Sequence, residues 1–303
     1  MKFAIDKAAD GKLLRTYFKE LGVSAALCAR LKRLEKGILL NGMPVTVRAT
    51  LHAGDVLELA IEEKEPPVHV LPRELPLDIL YQNEDCIAVN KPADMPTHPS
   101  HGHFEDTLAN ALAFHLSTKE APFRPRFINR LDRNTTGVVL VAAHALSAAS
   151  LSRAMAQGKI QKSYLALVHG VLDEPRVIES GIRRREESII FREVCPVGEG
   201  DLAITHVEPL VSNGEVTLVR LVPKTGRTHQ LRVHLASVGH PLLGDDLYGI
   251  SDGFHRHALH AATLEFPLPR DGGIVHVRAP LPPDMRAVIA TLGEEAIALA
   301  ENA

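Results

Sequence analysis

The sequence has 303 residues, 45% hydrophobic and 23% charged, which gives ample material for a packed core and excludes a disordered, collagen-like or coiled-coil chain. The 34 basic and 37 acidic residues give a net charge of -3, which excludes a uniformly basic nucleic-acid binder but allows a locally basic face. Its 3 cysteines, odd in number and far apart, exclude a disulfide framework and a paired-cysteine metal site.

Unpaired cysteines are typical of a reducing compartment. Charges occupy residues 1–7, where a secretory signal would be apolar, and the longest apolar run, Val138–Ala143, is far too short for a membrane span. We therefore expect a cytoplasmic protein that is neither exported nor inserted into a membrane.

Residues 1–62 are expected to form a small module of two helices and a short hairpin. Apolar residues recur at helical spacing over 13–21, Gly22 can stop that helix, and Ser24 can cap a second one that ends at Gly37. The second helix is basic and carries Arg30, Lys32, Arg33 and Lys36. Residues 63–72 include a charged, proline-bearing stretch, which indicates a linker.

Residues 73–303 are expected to form one α+β domain on a mixed, mainly antiparallel sheet, because short β-like runs alternate with a few helical segments without a regular βαβ period. The predicted strands are 79–81, 87–89, 137–142, 162–168, 203–211 and 216–222, and the predicted helices are 106–116 and 145–155. Asn213-Gly214, between the last two strands, is the strongest hairpin signal in the sequence.

Two segments carry the residues expected to do chemistry. In the first, Asp132 lies between Arg130 and Arg133, so its carboxylate is expected to be ionised at neutral pH, although a surface ion-pair cluster would have the same pattern. The second, residues 216–244, has no acid, and its basic side chains indicate a phosphate-rich partner. These basic residues are Arg220, Lys224, Arg227 and Arg232.

Six motifs follow one another along the chain. They are Asn90-Lys91-Pro92-Ala93, Arg130-Leu131-Asp132-Arg133, Lys162-Ser163-Tyr164, residues 225–234, residues 239–245, and Ala258-Leu259-His260-Ala261. Together, over about residues 75–290, they resemble the RluA family of RNA pseudouridine synthases. The first 62 residues resemble the αL RNA-binding module that often precedes this catalytic domain and also occurs in a ribosomal protein.

The resemblance implies an isomerase that converts uridine in RNA to pseudouridine, by detaching the base from its ribose, turning it and rejoining it through carbon. It implies no metal, nucleotide or redox cofactor, and we expect a monomer that acts on RNA. Ribosomal large-subunit RNA is the expected substrate. The alternatives are a transfer RNA pseudouridine synthase and a non-catalytic RNA-binding ribosome-assembly factor.

The resemblance also assigns roles within the site. Asp132 matches the catalytic nucleophile, which attacks either the ribose C1′ or the uracil ring. Arg232 matches the residue that pairs with this aspartate, Tyr164 matches the active-site tyrosine, and Leu231 would help to form an apolar wall. Other side chains are expected to hold the RNA while the target nucleotide is extruded, namely Arg130, Arg133, Lys224, Arg227 and His98.

Three positions depart from the family pattern. The family often has histidine where this chain has Asn129, often has serine where it has Thr136, and commonly has glycine where it has Asp94. Asparagine still forms hydrogen bonds, threonine keeps the hydroxyl, and aspartate tolerates a positive φ. These departures are therefore expected to bear on substrate preference more than on activity.

Two alternatives concern the charged residues. Arg133 and Arg227 could serve only to pair with acids such as Asp245 and Asp246. The histidines at 255, 257 and 260 suggest a metal-dependent hydrolase, but the arginine at 256 opposes a cation and no cysteine accompanies them, so no metal site is expected.

Overall fold

The computed structural model describes residues 1–61, 70–117, 122–270 and 272–303. These residues form one β-sheet in the N-terminal sixty residues and a larger one in the remainder. Most of the linker predicted at 63–72 lies outside the described residues, so the predicted domain boundaries stay a prediction.

The N-terminal part packs two helices against a small antiparallel sheet. Its elements are β1 (Lys2–Ala4), a short 3-10 helix (Lys7–Ala9), α1 (Leu14–Leu21), α2 (Ala25–Arg33), β2 (Ile38–Leu40), β3 (Met43–Pro44) and β4 (Val56–Leu59). The strands lie in the order β1-β4-β2-β3. Buried side chains of both helices and the sheet form one core, including Leu14, Phe18, Leu31 and Leu57.

The sequence signals between α1 and α2 are confirmed. Gly22 follows α1 with φ of +80°, the left-handed conformation that glycine adopts without steric cost, and its N–H donates to the carbonyl groups of Phe18 and Lys19. The Ser24 hydroxyl accepts a hydrogen bond from the Leu27 N–H at 3.1 Å and so caps α2.

The predicted end of α2 at Gly37 is wrong, because the helix ends at Arg33. The backbone of Gly37 turns back onto α2 so closely that a Cβ atom there would lie 2.0 Å from the carbonyl oxygen of Leu31. The glycine therefore serves a close approach of two backbones, and Lys36 lies in the turn rather than in the helix.

The larger part contains the remaining described elements. They are β5 (Asp78–Gln82), β6 (Cys86–Lys91), α3 (Leu108–Leu116), β7 (Arg126–Phe127), β8 (Thr136–Ala142), α4 (Ala145–Ala156), β9 (Gln161–His169), β10 (Arg176–Arg184), β11 (Arg192–Cys195), β12 (Asp201–Ser212), β13 (Val216–Pro223), α5 (Gln230–Ser237), β14 (Leu259–Pro267), β15 (Ile274–Arg278), α6 (Pro283–Ile289) and α7 (Ala296–Asn302). Every predicted strand and helix of this part is present, with ends that differ by one or two residues.

The eleven described strands form one mixed, mainly antiparallel sheet in the order β11-β10-β12-β13-β9-β14-β8-β6-β5, with β15 paired to β14 and β7 to β8. The pairing of β8 with β14 is parallel and places Thr136 opposite His260. The predicted hairpin joins β12 and β13, where the Asn213 side chain accepts hydrogen bonds from the N–H groups of Glu215 and Val216. The predicted fold class, α+β, is confirmed.

The two parts touch at the start of α4. Leu146 is buried within the hydrophobic cluster of the N-terminal part, and Ala145 packs beside it. Within that part, the Arg30 Nη2 donates to the carbonyl oxygen of Ile61 at 2.8 Å. Apolar packing, as well as the chain connection, therefore holds the N-terminal part against the larger one.

Candidate active site

An open cavity of about 470 Å³ lies where the segment around Asp132 meets β9 and the start of α5. Seven of the nine predicted site residues line it: Arg130, Asp132, Tyr164, Lys224, Arg227, Leu231 and Arg232. Two segments about 100 residues apart in the sequence therefore meet at one cavity. The other two, Arg133 and His98, are not among the described lining residues.

Asp132 follows β7 on a loop whose backbone is tied on both sides. The Thr97 hydroxyl donates to the carbonyl oxygen of Leu131 at 2.9 Å, and the Thr135 N–H donates to the carbonyl oxygen of Asp132 at 3.1 Å. The Asp132 side chain is 30% exposed, and its Oδ2 lies 3.7 Å from Nη1 of Arg232. The carboxylate is thus held beside a guanidinium group while it remains open to the cavity.

The shortest contacts of Arg232 are with another acid, Asp245. Nε and Nη2 of Arg232 donate to the two carboxylate oxygens of Asp245 at 2.8 and 2.6 Å, and Nη2 also reaches Asp246 at 3.1 Å. Burial would raise the pKa of Asp245, but the hydrogen bonds and charge of Arg232 outweigh it and lower that pKa. Asp245 therefore fixes the guanidinium group, which leaves Nη1 directed to Asp132.

Tyr164 lies on β9 with its side chain buried at the cavity wall. Burial, and next the neighbouring Asp132 carboxylate, raise the pKa of its phenol well above the usual value. The phenol is therefore neutral and keeps its proton at physiological pH. It can stack on a base and exchange a proton through its hydroxyl. Leu231, on α5, is buried beside it in the same core cluster.

Lys91 is fully buried beneath the loop that carries Asp132. Its ammonium group donates to the carbonyl oxygens of Pro92, Met95 and Arg133 at 2.7, 2.8 and 2.8 Å. Burial lowers the pKa of Lys91 to about 7, against the opposing effect of the Asp132 carboxylate. The three hydrogen bonds tie the backbone after β6 to the residue that follows Asp132.

Two buried histidines hold the other end of this loop. The Thr135 hydroxyl lies 2.8 Å from Nε2 of His257, and the Thr136 hydroxyl lies 2.8 Å from Nδ1 of His260. Burial lowers the pKa of His257 to about 3 and that of His260 to about 4, so both rings are neutral at pH 7. Neutral imidazoles supply both a donor and an acceptor and so suit threonine hydroxyls.

Arg256, immediately before His257, is also buried and structural. It pairs with Asp284 at 2.6 Å and donates to the carbonyl oxygen of Asn134 at 3.1 Å. Among the described residues, no group of three or more histidine, cysteine, aspartate or glutamate side chains could hold a metal ion. The histidine-rich segment is thus occupied by hydrogen bonds to the loop.

The basic residues of the rim differ in what they contact. Arg130 approaches the Thr228 hydroxyl at 3.5 Å, and Nε of Arg227 donates to the carbonyl oxygen of Leu202 at 3.0 Å. Arg133, by contrast, is turned to Asp94, with Nε donating at 2.8 Å to its carboxylate. Arg133 therefore pairs with an acid, but with Asp94 rather than with Asp245 or Asp246.

His98 stacks edge-on against Phe127, with ring centroids 4.4 Å apart. Burial and next the charge of Arg130 lower the pKa of this histidine. Because His98 is absent from the described cavity lining, it contacts the strand that leads to the site rather than the site itself.

The three departures from the family pattern have structural roles. The Asn129 side chain pairs with β8, donating to the Val138 carbonyl oxygen at 3.1 Å and accepting from the Leu140 N–H at 2.8 Å. Asp94 has a φ of +60°, as expected at a position that is commonly glycine. The Thr136 hydroxyl bonds a buried histidine, so none of the three touches the Asp132 carboxylate.

Sequence reasoning missed several residues of the site. Lys91 belongs to the first motif, but nothing in the sequence around it indicates that its side chain is buried. Asp245 is separated from Arg232 by a turn. His229 immediately precedes α5 and lines the cavity, with Nε2 4.0 Å from Oδ2 of Asp132. Only the spacing of the motifs could have indicated that these residues meet.

In the part of the chain that is described, no helix is both long and apolar enough to cross a membrane.

Comparisons with known proteins agree with this site. The sequence profile of the RNA pseudouridylate synthases matches residues 85–237, which include Asp132, Tyr164 and Arg232. The uncharacterized RNA pseudouridine synthase YjbO of Bacillus subtilis is 36% identical over 91% of this chain and 98% of its own length. The ribosomal large subunit pseudouridine synthase D of Vibrio cholerae is 35% identical over 88% of this chain and 87% of its own.

Among solved structures, human RNA pseudouridylate synthase domain containing 1 superimposes with a TM-score of 0.57 at 30% identity, over 70% of this chain and 87% of that one. The sequence matches extend over most of the chain and include every motif of the cavity. The chain therefore belongs to the RluA family of RNA pseudouridine synthases, isomerases that convert uridine in RNA to pseudouridine.

Proposed function

We propose that this chain converts uridine in ribosomal large-subunit RNA to pseudouridine, with Asp132 as the nucleophile. One observation carries the assignment of the nucleophile: Asp132 is the only carboxylate among the described residues that line the cavity. Five basic residues line the same cavity, Arg130, Lys162, Lys224, Arg227 and Arg232. The relatives named ribosomal large subunit pseudouridine synthase D, at 35% identity over most of the chain, support the choice of RNA.

The chemistry places the same demand on Asp132 in either route. If the carboxylate attacks the ribose C1′, it displaces the uracil; if it attacks the uracil ring, it forms an adduct with the base. In both routes the N1–C1′ bond breaks, the C5–C1′ bond forms, and the hydrogen on C5 leaves as a proton. A nucleophilic carboxylate must be ionised, and Arg232, held by Asp245, places a positive charge 3.7 Å from the Asp132 Oδ2 atom.

Tyr164 and Leu231 would receive the extruded base. A neutral phenol beside the nucleophile offers a ring face for stacking and a hydroxyl for proton exchange as the base turns. Leu231 supplies apolar surface at the same wall. Pseudouridine formation needs no group beyond these side chains, so we propose no cofactor.

The basic rim would hold the RNA backbone while the nucleotide leaves its stack. Arg130, Lys224 and Arg227 line the cavity and are the side chains proposed for these contacts. Arg133 and His98 are assigned an indirect part, since Arg133 is paired with Asp94 and His98 packs on Phe127.

We further propose that residues 1–62 form an RNA-positioning module, followed by a linker at 63–72 and the catalytic domain at 73–303. Lys32, Arg33 and Lys36 support this role because they are exposed. Arg30 contributes less, because its guanidinium group donates to the Ile61 carbonyl within the module. The cavity brings together every side chain proposed for the chemistry, so we propose a monomer, and a ribosomal substrate supports a cytoplasmic enzyme.

Two measurements test the proposal. Purified protein incubated with large-subunit RNA that carries tritium at C5 of uridine should release tritium, and the Asp132→Asn variant should not. A transcriptome-wide map of pseudouridine in cells with and without this chain should lose a site in large-subunit RNA. Loss confined to transfer RNA would overturn the substrate, and tritium release by Asp132→Asn would overturn the nucleophile.

A further inference from the structure

His229 occupies an unusual place at the edge of the cavity. It is one of four described non-glycine residues with positive φ, and its φ of +57° places it in the left-handed region immediately before α5. Such backbone conformations are costly for residues other than glycine and cluster where a side chain must be aimed. Here the imidazole ring lies between two groups, with Nε2 4.0 Å from Oδ2 of Asp132 and Nδ1 2.9 Å from the hydroxyl of Tyr248.

The contacts of Tyr248 decide which nitrogen of His229 carries the proton. The backbone N–H of Arg192, at the start of β11, donates to the Tyr248 hydroxyl oxygen at 2.8 Å. Burial raises the pKa of Tyr248, so its hydroxyl keeps its single hydrogen at neutral pH. Among the described residues, Nδ1 of His229 is the acceptor within reach of that hydrogen. We assign the tyrosine as the donor and Nδ1 as the acceptor, because this arrangement gives the hydroxyl hydrogen a partner within the protein.

The position of the second proton follows from this arrangement. Burial lowers the pKa of His229, so the ring is neutral at pH 7 and has one N–H group. Since Nδ1 accepts, that N–H is on Nε2, the nitrogen that faces Asp132. The chain Arg192 N–H, Tyr248 hydroxyl, His229 imidazole thus orients a hydrogen-bond donor toward the carboxylate.

We infer that His229, fixed in its Nε2–H form by Tyr248, is a positioning residue whose N–H dipole faces the Asp132 carboxylate across 4.0 Å and orients it for attack. The inference rests on the proposed role of Asp132 as nucleophile. A fixed N–H dipole complements Arg232, because the guanidinium group lies 3.7 Å and the imidazole Nε2 4.0 Å from the same carboxylate oxygen, Oδ2. Both ring nitrogens of His229 then have defined partners, which accounts for its backbone conformation.

The experiment compares two amides at this position. In His229→Gln the amide N–H can reach the place of Nε2, whereas in His229→Asn it reaches only the place of Nδ1, and asparagine tolerates a positive φ at least as well. At saturating RNA and pH 7, we expect His229→Asn and His229→Ala to lose about 10-fold in single-turnover rate, the lower end of the range for a direct hydrogen bond to a charged group. His229→Gln should stay within about threefold of the unsubstituted protein.

The pH dependence separates this role from a merely structural one. The charged and titratable groups that face the imidazole are Asp132, Arg192, Arg232, Asp245, Tyr248 and His257. Loss of the N–H dipole that faces the carboxylate should move the acidic limb of the rate profile to higher pH in His229→Asn, and His229→Gln should restore it. A rate lowered equally at every pH, or equal rates for the two amides, would overturn the inference.

Nitrogen NMR of the full-length protein, with labelled histidine, tests the tautomer directly. The His229 signals, assigned by their loss in His229→Gln, should show a protonated Nε2 and an unprotonated Nδ1 at pH 7. In Tyr248→Phe, which keeps the aromatic ring and its contact with Arg232, Nδ1 should lose the shift caused by its donor. A protonated Nδ1 in the unsubstituted protein would overturn the inference. The nucleophile itself is tested separately, because Asp132→Asn would be inactive whichever tautomer His229 adopts.

Discussion

The charged groups around the cavity and those on the N-terminal module are held in opposite ways. Arg232, Asp245 and Lys91 are buried and make short hydrogen bonds to one another or to backbone carbonyl groups. Lys32 and Lys36, on the module, are exposed, and the described residues offer them no ion-pair partner. Burying an ion pair costs desolvation free energy and fixes the geometry of the two side chains. Exposed charges attract a charged partner before contact and are screened by salt. The first arrangement suits bond making, and the second suits capture of a polyanion.

The largest effect is expected at the nucleophile. Asp132→Asn keeps the size of the side chain but removes the negative charge, so pseudouridine formation should fall below detection, a loss of at least about 1,000-fold. RNA affinity, measured by filter binding, should change by less than about threefold because the basic rim is intact. Turnover by this variant at a sizeable fraction of the normal rate would contradict the role of Asp132 as the nucleophile.

A large effect on stability is expected when the buried pair is broken. Arg232→Ala would leave the buried Asp245 carboxylate without its partner, so we expect a loss of about 3–5 kcal/mol in the free energy of unfolding, measured with denaturant. Arg232→Met combined with Asp245→Asn should recover much of that loss, because no unpaired charge remains. Activity should stay low in both, since Asp132 lacks its guanidinium neighbour. Normal stability of Arg232→Ala would contradict the pairing.

A moderate effect is expected from acid. Burial lowers the pKa values of His234, His257 and His260 to about 4, 3 and 4, whereas in the unfolded chain they titrate near 6.5. Between these values the unfolded state binds more protons, so the free energy of unfolding should fall as pH drops below about 6.5, by at most about 1.4 kcal/mol per pH unit for each histidine. Urea unfolding at pH 7 and pH 5 measures this loss. His234→Asn should reduce the pH dependence, and an unchanged pH dependence in this variant would contradict the role of that histidine.

The smallest effect on turnover is expected from the module. Replacing Lys32, Arg33 and Lys36 by glutamine should weaken RNA binding. It should also reduce the slope of log affinity against log salt concentration by up to about 0.7 for each lost phosphate contact. The rate at saturating RNA should stay within about twofold. These substitutions are a cleaner test than deletion of residues 1–62, because deletion would expose Leu146. Unchanged affinity across a salt series would contradict the RNA-binding role.

The sequence predicted the fold class, six strands and two helices of the larger part and seven of the residues that line the cavity, since these depend on local periodicity and on long motifs. It did not predict the partner of Arg232 or the burial of Lys91, because a charged residue looks the same in sequence whether it is solvated or buried. The true end of α2 was also missed: it depends on the approach of Gly37 to Leu31, a contact that local pattern does not encode.

The anchoring of the Asp132 loop bears on how the protein folds during synthesis. The contacts that tie Thr135 to His257 and Thr136 to His260 span 122 and 124 residues of sequence. Closing such long loops is slow, and it cannot begin until the second partner has left the ribosome. A nascent chain that has reached only residue 237 already contains Asp132, Tyr164 and Arg232 but lacks the two histidines that hold the Asp132 loop. We therefore expect catalytic competence to arrive only with the last sixth of the chain.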